Sequence, residues 1–181
     1  VIGYALIQIE AESAARPADA RILLQVALAY RAAGDLPDAL KETQAALALS
    51  PQKYQILLEE GVEAWQIGDT KTAAETFAKV YEQTPASDDA AAYAAVGKIV
   101  SGDTAAGKQI LSDHFGTTTV NNPVLVYAYY GAKDYADLTL ILELAYRTTP
   151  SPDNGFQLAT AYALSGRSTD ARALVAAIAA A

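Results

Sequence analysis

Three Gly-Asp dipeptides, Gly34-Asp35, Gly68-Asp69 and Gly102-Asp103, stand 34 residues apart, and the 181-residue chain holds no others. A fixed period of that length implies one supersecondary unit copied several times, each copy burying its apolar face against its neighbours. Small residues keep the same register. Ala27, Gly61 and Ala95 lie seven residues before each glycine, and Ala39, Ala73 and Gly107 lie five after it. Pro51 and Pro85 are also 34 apart. With short deletions the pattern runs on: Lys133-Asp134 takes the Gly-Asp slot, then Gly166, and the closing proline returns as Pro150. One array over 1–181 is expected, with units at about 20–53, 54–87, 88–118, 119–151 and 152–181 and a partial preceding helix at 1–16.

Each unit reads as two helices joined by a turn. Leu23, Leu24, Val26, Ala27 and Tyr30 recur at three- and four-residue spacing and stop at Gly34, which tolerates a left-handed helix end. Asp35 can cap the next helix, with Pro37 in its first turn, where a missing N–H costs nothing. That helix carries Ala39, Leu40, Thr43, Ala46 and Leu47 until Ser50-Pro51 ends it. Gly or Ala at the crossing points lets paired helices approach closely. Forty alanines and 52% hydrophobic residues suit an all-α chain. The stretch 116–122 reads as a longer joint.

A 34-residue helix-turn-helix with small, aromatic and proline sites in this order resembles the tetratricopeptide repeat. The first unit matches at Leu23, Ala27, Tyr30, Gly34, Ala39, Ala46 and Pro51. The second matches at Leu57, Gly61, Gly68, Ala73, Phe77 and Pro85, with Ala64 where the family prefers tyrosine. Ala159, Tyr162, Gly166 and Ala171 carry the fifth. The third and fourth depart, with Lys98 at the tyrosine site and Val126 and Leu138 at two small sites. The resemblance implies an α-α superhelix that scaffolds protein–protein contacts. The run from Ala45 to Gly61 is more narrowly similar to repeat segments behind the membrane portion of bacterial O-antigen ligases and polymerases. That likeness implies an accessory module of a bacterial envelope protein whose parent is membrane-anchored.

Composition excludes several chemistries. Thirteen basic against twenty-one acidic residues give a net charge of −8, the wrong sign for holding nucleic acid. With no cysteine and one histidine, neither a nucleophile-base-orienter set nor a thiolate or imidazole metal site can be assembled, and no cofactor is expected. The compartment stays undecided. The apolar start, Val1 to Glu10, is too short to cross a bilayer core that needs about 20 residues. Gly102 to Lys108 satisfies G-x-x-x-x-G-K, but Gln109 replaces the hydroxyl residue and no strand precedes it, so its glycines read as a turn and a packing site. His114 lies in the last turn before Gly116, where it suits the helix dipole better than catalysis. Glu59, Glu60 and Glu63 share a helix face and read as solvated.

What remains is the inner face, lined in such arrays by the first helix of each unit. It is expected to carry Arg21, Leu24, Leu28 and Arg31, then Leu58, Val62, Trp65 and Gln66, then Tyr93 and Val96, then Tyr127 and Tyr130, with Phe156, Thr160 and Leu164 beyond. Trp, Tyr and Arg are frequent interface anchors. Tetratricopeptide domains that grip a chaperone's C-terminal carboxylate use lysines and asparagines here. The matching places hold Leu24, Leu28, Glu59 and Asp89, so that activity is not carried over. An apolar peptide or helix is the expected partner, with the arginines available for an acidic end. Self-association is the alternative, since the last helix ends in an apolar, uncharged run from Ala173 to Ala181 where arrays carry a polar cap.

Overall fold

A computed structural model describes residues 2–180, with side chains from Leu6 onward. Every element within that range is an α-helix. The chain divides into two compact units, residues 1–85 and 86–181.

The first unit holds α1 (Ile2–Ala15), α2 (Ala20–Ala33), α3 (Leu36–Leu49), α4 (Tyr54–Gln66) and α5 (Thr70–Gln83). Helix α1 packs on α2, and the Tyr30 hydroxyl donates to Glu10 across that contact. The strongest pairings are α2 with α3 and α4 with α5, and α3 meets α4 between them. Ala27, Ala39 and Ala73 are fully buried at the crossings. Gly61 faces the Phe77 ring, where a Cβ would stand 2.4 Å from ring carbon Cε1.

The second unit holds α6 (Asp88–Val100), α7 (Thr104–Phe115), α8 (Pro123–Gly131), α9 (Tyr135–Thr148), α10 (Pro152–Leu164) and α11 (Ser168–Ala179). Helices α6 and α7, α8 and α9, and α10 and α11 pair; α6 also meets α8, and α9 meets α10. Gly107 lets α7 approach α6, since a Cβ there would stand 2.9 Å from the Ala95 carbonyl oxygen. Residues 116–122, between α7 and α8, are not helical. Helix α8 is only nine residues long and makes a less extensive contact with α9 than the helices of the other pairs make with each other.

One turn is written five times. Gly34, Gly68, Gly102, Lys133 and Gly166 all take the left-handed conformation, with φ between 58° and 93°. The following residue then donates its N–H five residues back: Asp35 to Tyr30, Asp69 to Ala64, Asp103 to Lys98, Asp134 to Tyr129, and Arg167 to Tyr162, at 2.7–2.9 Å. In the first four the aspartate side chain also accepts from the amide three residues on, capping the next helix. The Gly-Asp period is this pair of caps. No helix among the described residues is long and apolar enough to cross a membrane.

Candidate functional site

The expected inner-face residues fall into three kinds of surroundings. In the first unit, Arg21, Leu24 and Leu28 of α2 come together around an open cavity of about 620 Å³ that also takes Leu49, Lys53 and Gln55. Leu24 packs on the core formed by Leu23, Ala46 and Ile56. Arg21 is ion-paired with Asp19 at 3.0 Å, and the carboxyl of Asp19 is held below the usual carboxylate range mainly by that contact. Arg31 is bound to Glu59 and is not a free cation for a partner's acidic end. Leu58, Val62 and Trp65 are half-buried and Gln66 is exposed.

The acidic set on α4 corrects the expectation of a solvated face. Glu59 and Glu60 are half-buried, tied to Arg31 and to the Thr76 hydroxyl, and Glu63 is fully buried. Both Glu63 oxygens and the Thr43 hydroxyl lack a hydrogen-bond partner among the described residues. Burial pushes Glu63 up to about 6, with Thr43, facing it from α3, working against the shift. Glu59 is also raised by burial despite its arginine. The cause is register: α4 packs between α3 and α5, and Glu63 falls on a covered side.

In the second unit, Val96 of α6 is fully buried and leaves the inner face, because eight of the thirteen residues of α6 are buried between neighbours. Tyr93 is half-buried. Tyr127 and Tyr130 are the opposite case, 68% and 57% exposed on α8. They stand over an open cavity of about 350 Å³ between α8, α9 and α10, with Val126, Gln157 and Leu164 on its walls. No lining side chain is charged. The Thr160 hydroxyl there is spent on the Phe156 carbonyl at 2.9 Å. Sequence reasoning missed the floor, Leu138 and Leu142, which come from the second helix of the pair. The signal was present in the bulky Val126 and Leu138 at sites where other units carry Gly or Ala.

The remaining motifs are built into the frame. Gly102 forms a turn with φ 93°, and Lys108 pairs with Asp137. His114 Nε2 lies 2.9 Å from Asp88 Oδ1, linking α7 to the start of α6, and its ring meets Phe115 edge-on at 4.6 Å. No group of three or more metal-ligating side chains occurs among the described residues.

Comparison of the coordinates with solved structures places this geometry. A tetratricopeptide repeat protein from Parabacteroides merdae superposes with a TM-score of 0.75 at 16% identity, covering 98% of this chain and 72% of that one. The fold is that of the tetratricopeptide repeat. MamA has the same fold at a TM-score of 0.60 and 14% identity, covering 93% of this chain and 91% of its own. A chain of the APC/C hetero-tetramer Cut9–Hcn1 does so at 0.62 and 17%, covering 96% of this chain and 39% of that one. No protein-family model matches the sequence, and no curated protein is similar enough in sequence to match. The tetratricopeptide-repeat likeness is one of architecture. Identities of 14–17% transfer the helix-pair frame and no side chain of the candidate site.

Proposed function

We propose that this chain is a non-catalytic protein-interaction scaffold that takes an apolar helix or peptide on the α8–α10 face of its second unit. The observation that carries the reading is the pair Tyr127 and Tyr130, more than half exposed above an uncharged cavity. Exposed aromatics cost free energy in water, and a pocket that buries them against apolar side chains returns it. The two phenol hydroxyls and the Gln157 amide can satisfy a partner's backbone, giving orientation without charge. Tetratricopeptide-fold chains in the Cut9–Hcn1 and Naa15/Naa10/HypK complexes are solved with protein partners, which supports a scaffold role. The α2 cavity with Lys53 and Gln55 offers a second, more polar contact within the first unit. Placement behind a membrane ligase or polymerase rests on the 45–61 run alone.

Peptides selected against the chain from a library of amphipathic helices provide the probe. Replacing Tyr127 and Tyr130 together by alanine is expected to weaken the selected peptides by at least about tenfold, the scale of an anchor truncation, with the circular dichroism spectrum unchanged. Equal binding by the double variant would remove the face from the interaction.

A further inference from the structure

Among the described residues Glu63 is the one fully buried carboxyl, and its neighbour Thr43 is fully buried too. The repeat register sets both apart. The slot of Glu63 on the first helix of a unit holds Ala29 and Gly97 at 34 residues to either side, and the slot of Thr43 on the second helix holds Phe77 and Leu111 in the next two units. Phe77 and Leu111 are fully buried apolar side chains. Between α3 and α4 a polar pair therefore stands where the pattern elsewhere is apolar. Neither Glu63 oxygen nor the Thr43 hydroxyl has a hydrogen-bond partner among the described residues. A neutral carboxyl is tolerated in such surroundings, whereas a carboxylate holds a full charge out of water.

The pair sits at the weaker joint of the first unit. Helices α2 and α3, and α4 and α5, hold each other more extensively than α3 holds α4. Arg31 of α2 crosses the joint to Glu59 of α4, and Leu23 and Ala46 cross it to Ile56. The charges acting on Glu63 are Glu59 and Glu60 of its own helix and Arg31 from α2, while α3 offers the Thr43 hydroxyl. From α5, the Thr76 hydroxyl is given to Glu60 at 3.2 Å. Lys41 and Glu42 on α3 pair with each other, as do Lys71 and Glu75 on α5. One guanidinium, already bound to Glu59, is left to serve two carboxylates once Glu63 ionises.

We propose that the proton on Glu63 is the latch of this joint: protonated, it keeps the α2–α3 pair closed on the α4–α5 pair, and ionised, it lets α3 and α4 part about the linker 50–53. Burial pushes Glu63 up to about 6, against the ordinary 4.5 that it has once exposed. The closed joint thus binds the proton more tightly than the open one, so closure is strongest below pH 4.5 and is lost as pH rises through 6. That gap corresponds to a change of about thirty-fold in the ratio of closed to open forms. The open cavity of the first unit has Leu24, Leu28 and Leu49 on one side of the joint and Gln55 and Ile56 on the other, so its shape follows the same proton. The latch rests on the core of the first unit and not on the peptide contact proposed for Tyr127 and Tyr130.

Hydrogen exchange of the full chain from pH 4 to 7.5, with each rate corrected for the intrinsic pH dependence of amide exchange, tests this. Protection of α3 and α4 is expected to fall by about ten- to thirty-fold across that range while α8 to α10 keep theirs. Glu63→Gln, which cannot ionise, is expected to hold α3 and α4 at one level throughout. Thr43→Val keeps the carboxyl and removes the hydroxyl that works against its rise, so the fall is expected at higher pH than in the parent. Protection of α3 and α4 that does not change with pH in the parent, or that falls as much in Glu63→Gln, would overturn the proposal. A fall shared equally by both units would overturn it as well, since Glu63 would then act on the stability of the whole chain and not on one joint.

Discussion

Glu63 shows how one residue can oppose the fold that contains it. Its carboxyl is fully buried, neither oxygen has a hydrogen-bond partner among the described residues, and burial pushes it up to about 6 from the ordinary 4.5. Between those values the native state holds more protons than the unfolded one, so this group's contribution is complete below pH 4.5 and is lost as pH rises through 6. The swing is about 2 kcal/mol. Urea midpoints of the parent and Glu63→Gln measured from pH 4 to 7 isolate it: the parent is expected to lose stability relative to the variant as pH rises. A difference that is flat with pH would mean the carboxyl is not desolvated. Tyr129 is a neutral counterpart. Its ring is buried, its hydroxyl has no partner among the described residues, and burial raises its ionisation well above the ordinary value. Tyr129→Phe removes only an unsatisfied group and is expected to be neutral or stabilising by up to about 1 kcal/mol, read from the thermal midpoint. A loss of 1 kcal/mol or more would mean the hydroxyl has a partner. Neither feature was legible in the sequence. Periodicity placed Glu63 on a shared face with Glu59 and Glu60, but a face becomes interior only when a neighbouring helix covers it.

At the scale of the element, the helix-turn-helix was legible because its signals are local. A left-handed residue, an aspartate cap and a small crossing residue recur at fixed offsets, and each has a cause independent of the rest of the molecule. Lys133 tests that reading. It occupies the glycine slot with φ 58°, a conformation that costs a side-chain-bearing residue about 1 kcal/mol or more. Lys133→Gly is therefore expected to raise stability by about 1 kcal/mol in denaturant unfolding. No gain would mean that the lysine side chain offsets the strain. Gly61→Ala works in the other direction. The added methyl would stand 2.4 Å from the Phe77 ring, and the expected loss is about 1–3 kcal/mol, partly recovered by Phe77→Leu. What local signals could not supply was the floor of the α8–α10 cavity. Leu138 and Leu142 belong to the second helix of their pair, and their arrival there depends on how α9 packs against both α8 and α10.

For the molecule as a whole, repetition decides the architecture and a departure from it accompanies the candidate site. Regular units bury their small residues against one another at the helix crossings. The unit whose small sites hold Val126 and Leu138 is the one that opens beneath two exposed tyrosines. Reading outward from packed positions put Tyr127 and Tyr130 on an open helix face, and both are exposed because they sit opposite Leu125 and Ala128. The same method misplaced Val96, since α6 is covered on more sides than its pattern shows. Hydrogen exchange on the chain with and without a selected helical peptide tests the scaffold reading most directly. Added protection is predicted in α8 and α10, centred on the segments of Tyr127, Tyr130 and Thr160. Protection confined to α9 and α11, or absent at saturating peptide, would contradict it.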